Sequence, residues 1–212
     1  MADILTIALA KGRLGLDALD LLETCGIDGA ELRTDTRKLV LEDPGSNTRF
    51  IWVKPADVPT YVAHGVADMG VVGKDTLMEE NQPLYEMLDL GYGKCRLCIA
   101  GFPDQQRQVT GRARRVATKY PNIARAFYAQ RGESIEVIKL NGSVELGPIV
   151  GLSDEILDIV ESGKTLVANG LAVLEEICPV SARLVVNRVS LKLKSARIRP
   201  LIAQMETVLA KG

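Results

Sequence analysis

Short continuous apolar runs alternate with stretches of helical period along this chain, and that alternation predicts strand and helix in turn from end to end. Ile4 to Ala10 reads as a buried strand, Lys11-Gly12-Arg13 breaks it, and Leu14 to Thr24 carries Leu14, Ala18, Leu21 and Leu22 on one helical side. Cys25-Gly26 stops that helix. Arg37 to Leu41 and Arg49 to Val53 read as strands around a Pro44-Gly45-Ser46-Asn47 turn. Pro55-Ala56-Asp57 opens a helix ending at Gly65, Met69 to Gly73 is a short buried strand, and Lys74 to Glu80 is helical. Further strands are expected at Leu84 to Leu90, Lys94 to Gly101, Arg115 to Ala117, Ile135 to Leu140, Thr165 to Ala168 and Arg183 to Val189. Helices are expected at Pro121 to Arg131, Ser153 to Glu161 and Leu191 to Leu209.

This order implies an α/β fold with mostly parallel or mixed sheets. Short helices and many loops suit two small lobes with an interlobe cleft. The boundary is placed near Tyr92 with a return near Pro179. Lobe I is then discontinuous, residues 1–91 plus 179–212, and lobe II spans 92–178. No low-complexity tract or clean internal repeat is visible.

Composition narrows the classes. The 212 residues are 47% apolar and 25% charged, as in a soluble globular protein, with 26 basic against 27 acidic side chains. Any anion-binding site must therefore be local, because the whole chain exerts no pull on nucleic acid or anionic membrane. Aromatics at 4% argue against base-stacking platforms. No apolar stretch approaches a membrane span. The N-terminal run has Asp3 before it and basic residues after it, the reverse of a secretory signal, so a cytoplasmic chain with reduced Cys25, Cys95, Cys98 and Cys178 is expected.

The chemistry concentrates in Asn141 to Leu166. As a helix capped by Ser153, this stretch would place Asp158 about 40° and Glu161 about −20° from Asp154, a shared carboxylate face opposite Ile156, Leu157, Ile159 and Val160. Such a face is by itself an ordinary solvated side of an amphipathic helix. The continuation Ser162-Gly163-Lys164-Thr165 changes the picture, since a tight turn rich in N–H and hydroxyl donors can wrap a phosphate. Carboxylates beside such a turn suit a phosphorylated sugar. A nucleotide P-loop is disfavoured: its first glycine would fall on Asp158, and the turn is expected to follow a helix rather than a strand.

The pattern Glu145-x5-Gly151-x-Ser153-x2-Ile156-x-Asp158-Ile159-x2-Ser162-Gly163-x-Thr165-Leu166 fixes ten positions over 22 residues. It resembles the signature of the ATP phosphoribosyltransferases. The resemblance extends to Lys11-Gly12-Arg13-Leu14, Arg37-Lys38-Leu39, Asp57 to Val62, Gly65 to Asp75, Ala117-Thr118-Lys119-Tyr120 and Ala168-Asn169-Gly170-Leu171.

The resemblance implies a periplasmic-binding-protein-like (type II) fold. It also implies an enzyme in which ATP and phosphoribosyl pyrophosphate (PRPP) meet in the cleft between two lobes. Adenine N1 attacks C1 of the ribose and pyrophosphate leaves, the first step of histidine biosynthesis. Arg13 and Arg37 would stabilise the departing pyrophosphate as the catalytic cations. Asp154 and Asp158 would hold the ribose hydroxyls, and Ser162, Gly163, Lys164 and Thr165 the 5′-phosphate. Glu145 would meet the sugar or Mg²⁺. Lys11, Asp68 and Gly70 would face the ATP, with a structural role for the Asp68 turn equally open. Mg²⁺ would arrive on the substrate phosphates, with no dedicated protein metal site. The chain resembles the short form of the family, a homodimer that joins a histidyl-tRNA-synthetase-like regulatory subunit in a hetero-oligomer. No nucleic acid or membrane partner is expected. The alternatives are a non-catalytic small-ligand-binding module, which would need a secretion signal, and another PRPP-dependent transferase, which would keep the phosphate turn and change the acceptor.

Other signals carry less. Cys95 and Cys98 fall on opposite faces of one strand and lack a second pair for zinc. His64, the single histidine, ends a helix. Arg112, Arg114 and Arg115, and the group Arg188, Lys192, Lys194, Arg197 and Arg199, read as solvated faces or subunit contacts.

Overall fold

A computed structural model describes residues 4–34, 38–105 and 111–211. The chain divides into two compact units, residues 1–93 with 181–212 and residues 94–180.

The first unit is built on a six-stranded mixed sheet. In chain order its elements are β1 (Leu5–Ala10), α1 (Arg13–Thr24), β2 (Val40–Asp43), β3 (Thr48–Val53), α2 (Val58–Ala63), β4 (Met69–Gly73), α3 (Lys74–Glu80) and β5 (Tyr85–Asp89). The second unit contributes β6 (Cys95–Gly101), β7 (Arg114–Thr118), α4 (Pro121–Ala129), β8 (Ile135–Lys139), α5 (Leu146–Ile149), β9 (Glu155–Val160), α6 (Lys164–Ala168) and β10 (Ala172–Val180). The chain then returns to the first unit with β11 (Ala182–Val186), α7 (Arg188–Leu193) and α8 (Ser195–Leu209).

The first sheet runs β2-β3-β1-β4-β11-β5, with β1 parallel to both β3 and β4. Every residue of β1 is buried because both faces of this strand are covered. Leu5, Ile7 and Leu9 enter a core shared with α1 and α8, and Ala8 and Ala10 one shared with α2. Close packing requires glycine at two points. A Cβ on Gly15 of α1 would lie 2.0 Å from the Ala10 carbonyl oxygen, and one on Gly70 of β4 would lie 2.8 Å from Val58 Cγ1. The second sheet runs β10-β6-β9-β7-β8, with β7 parallel to β8 and β9, while β6 is antiparallel to β9 and β10. Both sheets are mixed.

Several elements differ from the sequence expectation. The helix expected over Ser153 to Glu161 is β9, and the strand expected over Thr165 to Ala168 is α6. The apolar run Ile156-Leu157 and Ile159-Val160 fits a helical stripe, but it also fits a central strand buried on both faces, and pairing with β6 and β7 decides for the strand. β10 has no counterpart in the sequence reading: two register shifts and the polar Glu175-Glu176 pair break its alternation. The expected helix from Leu191 to Leu209 is two helices interrupted at Lys194.

Candidate active site

In open α/β sheets ligands gather beyond the carboxyl ends of parallel strands. In the second unit, β7, β8 and β9 share such an edge, and the segment Glu161-Ser162-Gly163 leaves β9 there and enters α6. Gly163 is the N-cap of α6 with φ 74°, a left-handed conformation that glycine adopts without a Cβ penalty and that lets the chain reverse within two residues. Ser162 Oγ accepts a long 3.4 Å hydrogen bond from the Lys164 N–H. Leu166 is buried and anchors the short helix, while the Asn169 side-chain amide donates to the Thr165 carbonyl at 2.8 Å. Ser162, Lys164 and Thr165 are exposed. The turn therefore offers hydroxyls, backbone N–H groups and an ammonium to solvent from a fixed base. It joins a strand to a helix, contrary to the expectation from sequence, and the Asp at position 158 alone separates it from a P-loop pattern.

Asp158 belongs with this turn. It is half-buried two residues from the end of β9, opposite Cys98 of β6, and its Oδ1 accepts from the Ile159 N–H at 2.9 Å. Glu145 is half-buried in the loop after β8, at the N-cap position of α5.

Asp154 does not belong with it. Four residues along an extended chain span about 13 Å, so Asp154 and Asp158 cannot meet one sugar ring as they would on a helix. Asp154 stands at the amino end of β9, where it accepts from Arg112 at 2.7 and 2.6 Å and from the Arg115 N–H at 2.8 Å. The Arg112 hydrogen bonds hold its carboxyl well below the usual carboxylate range, against an opposing effect of partial burial. Glu155 beside it is 2% exposed, pairs with Arg114 at 2.7 Å and accepts from the Tyr128 hydroxyl. Burial, and then this carboxylate, push the Tyr128 phenol up. Arg112, Arg114 and Arg115 thus pair with the carboxylates at the amino end of β9, Arg112 remaining exposed and the other two half-buried. The sequence reading missed Glu155 and Tyr128, although a Glu inside an apolar run is a signal for a buried partner. Ser153 is not a helix cap: its hydroxyl is buried without a hydrogen-bond partner and lies where a Cβ on Gly147 would approach to 2.5 Å.

In the first unit, Lys11, Gly12 and Arg13 form the turn from β1 into α1, at the carboxyl end of β1. The Lys11 N–H donates to the Val53 carbonyl at 2.8 Å, and Lys11 and Arg13 are both exposed. Arg37 lies outside the described residues. Asp68 is at the opposite edge of the same sheet, before the amino end of β4, and is 4% exposed. Its carboxylate accepts from the Thr6 N–H, the Ser190 hydroxyl and the Lys194 ammonium at 2.8, 2.7 and 2.8 Å, so it fastens the fold and does not face the Lys11 turn. Gly70 is buried under α2 and serves packing. Lys194 and Arg197, expected to be solvated or subunit contacts, also bond internally, Arg197 to the carbonyls of Ser46 and Asn47.

A family model described as HisG: ATP phosphoribosyltransferase matches residues 54–207. A Caldanaerobacter subterraneus protein named ATP phosphoribosyltransferase is 52% identical over 99% of this chain and all of its own. A Lachnoclostridium phytofermentans protein of the same name is 54% identical over 98% of both. A solved structure, that of the ATP phosphoribosyl transferase (HisG:HisZ) complex from Thermotoga maritima, superposes with a TM-score of 0.87 at 33% identity, covering 99% of this chain and all of that one. The periplasmic aliphatic sulphonate binding protein SsuA from Escherichia coli superposes at 0.60 with 14% identity over 99% of this chain and 74% of its own, a likeness of fold alone.

Proposed function

The chain belongs to the ATP phosphoribosyltransferase family, and on that premise we propose that it transfers the phosphoribosyl group of PRPP to N1 of ATP, giving phosphoribosyl-ATP and pyrophosphate as the first step of histidine biosynthesis. The observation that carries the assignment of residues is the Ser162–Thr165 turn at the carboxyl end of β9, with Asp158 just inside it.

Ser162, Gly163, Lys164 and Thr165 hold the 5′-phosphate, and Asp158 accepts from the ribose hydroxyls. Glu145 meets the sugar. Asp154, Asp68 and Gly70 are left out, because their own unit occupies them. Displacement at the anomeric carbon builds positive charge on the ring and negative charge on the leaving pyrophosphate. Fixed cations therefore act most strongly in the transition state. Arg13 and Arg37 take that role, since a guanidinium fork binds two phosphate oxygens at once. Lys11 faces the ATP. Adenine N1 carries a free lone pair, so the attack needs no general base.

Mg²⁺ belongs to this proposal. Among the described residues no three histidine, cysteine or carboxylate side chains converge on one point. Asp158 and Glu145 are hard oxygen donors that suit a Mg²⁺ ion keeping most of its waters on the substrate phosphates. Bound there, the ion neutralises charge on the pyrophosphate.

Among the described residues no helix is long and apolar enough to cross a membrane, and the four cysteines form no disulfide. A cytoplasmic setting is part of the proposal and rests on the family assignment. The catalytic chain pairs with a second copy and joins a regulatory subunit like a histidyl-tRNA synthetase, a reading supported by the similarity to the Thermotoga HisG:HisZ complex. An assay with ATP, PRPP and Mg²⁺, with and without that subunit, tests the reading: phosphoribosyl-ATP is expected, and its absence under both conditions rejects it. Sedimentation of the mixture should give a species heavier than either component, and two unchanged species would reject the assembly.

A further inference from the structure

The basic residues of the second unit divide by sheet edge. At the amino edge, Arg112 and Arg115 meet Asp154, and Arg114 meets Glu155. At the carboxyl edge stand Lys119, one residue past β7, Lys139, the last of β8, and Lys164, the first of α6 after β9. All three are exposed, and among the described residues none reaches a carboxylate. Asp158 and Glu161 stand at the same edge. An edge that carries exposed ammonium groups together with carboxylates suits a ligand presenting both phosphates and hydroxyls.

Lys119 is the best placed of the two lysines outside the turn. β7 adjoins β9 directly, and Thr118 is the ladder partner of Leu157, the residue before Asp158. The buried Thr118 hydroxyl donates to the Leu157 carbonyl at 2.6 Å and accepts from the Tyr120 N–H at 2.8 Å. The backbone on both sides of Lys119 is thereby pinned to β9. Among the described residues the side chain meets the Tyr120 ring, with Nζ 5.9 Å from the centroid, the outer limit of a cation–π contact.

We propose that Lys119 is a further substrate-binding residue, its ammonium gripping a phosphate oxygen of PRPP beside the Ser162–Thr165 turn. This rests on the assignment of that turn to PRPP. The contact is charge-assisted and directional, so its loss weakens binding about tenfold.

The test is titration calorimetry on the full chain with PRPP, ribose 5-phosphate and pyrophosphate as separate probes, using Lys119→Ala, Lys119→Arg, Thr165→Ala and Arg125→Ala, each checked for an unchanged thermal melt. Arg125 is an exposed cation on α4 with no carboxylate partner among the described residues, and it reports the general loss of one positive charge. Lys119→Ala should bind PRPP about tenfold more weakly, Lys119→Arg should recover most of that, and Arg125→Ala should stay near wild type. A matching loss with ribose 5-phosphate places the contact on the 5′-phosphate, and one with pyrophosphate places it on the diphosphate. Wild-type affinity in Lys119→Ala, or a loss no larger than that of Arg125→Ala, overturns the proposal. If Thr165→Ala is weakened in the same series, the reading of the turn survives that failure, and if it too binds normally, the turn is misassigned.

Discussion

The Lys194 ammonium lies 2.8 Å from Oδ2 of Asp68, tying the break between α7 and α8 to the amino end of β4. The same ammonium donates to the Ile4 carbonyl at 2.6 Å, and the second Asp68 oxygen accepts from Ser190. One buried carboxylate thus joins three segments that are far apart in sequence. Removing one member of a buried pair leaves its partner's charge uncompensated, at a cost of about 3–5 kcal/mol. Lys194→Met should lower the unfolding free energy measured in urea by an amount near that range while leaving the KM for ATP of the folded enzyme within about twofold, since the pair is at the sheet edge opposite Lys11. A large rise in KM with unchanged stability would return Asp68 to the substrate.

The Ser162–Thr165 turn yields a prediction of the opposite kind. Thr165→Ala should raise the KM for PRPP by roughly tenfold or more, as loss of a hydrogen bond to a charged group does, with the KM for ATP and the thermal midpoint little changed. Equal effects on both substrates would remove Thr165 from the phosphoribosyl site.

Arg13→Ala and Arg37→Ala should lower kcat much more than they weaken PRPP binding, because their contacts strengthen as charge reaches the leaving group. Steady-state rates together with calorimetric PRPP affinities separate the two effects. Unchanged turnover would take either residue out of the mechanism.

Asp154 makes stability depend on acid. Its carboxyl is held well below the usual carboxylate range, chiefly by Arg112. A group with a depressed folded pKa adds stability that is fully present above its unfolded value, near 3.9, and is lost as the pH falls towards the folded one. The urea midpoint of the wild type should therefore drop more steeply below about pH 4 than that of Asp154→Asn, and parallel curves would refute this.

Gly15→Ala tests the packing of α1 on β1. The added Cβ would sit 2.0 Å from a backbone oxygen that no rotamer can move. Overpacking of this kind costs about 1–3 kcal/mol or more, readable as a lowered urea midpoint. A wild-type midpoint would show that the helix can shift.

The sequence made some elements plain for identifiable reasons. β1 and α1 were legible because a fully buried strand leaves an unbroken apolar run, and Gly12 and Gly26 punctuate the helix after it. β9 was misread because six residues with apolar side chains at four positions satisfy both periods. The Ile and Val content and the flanking Gly151 and Gly163 fit a strand, whereas the capping pattern at Ser153 fits a helix. The motif itself survived the error: spacing identifies the turn whatever precedes it. What spacing could not supply was distance, and the change from helix to strand separates Asp154 from Asp158.

β9 therefore has one end fixed by arginine–carboxylate locks and the other open to solvent as the Ser162–Thr165 turn. Substitutions in the turn leave the locks intact, so residues 161–165 could be exchanged for a loop with a different appetite while the sheet keeps its register. Selection, or a designer, can in this way retune what the protein grips without reopening the question of whether it folds.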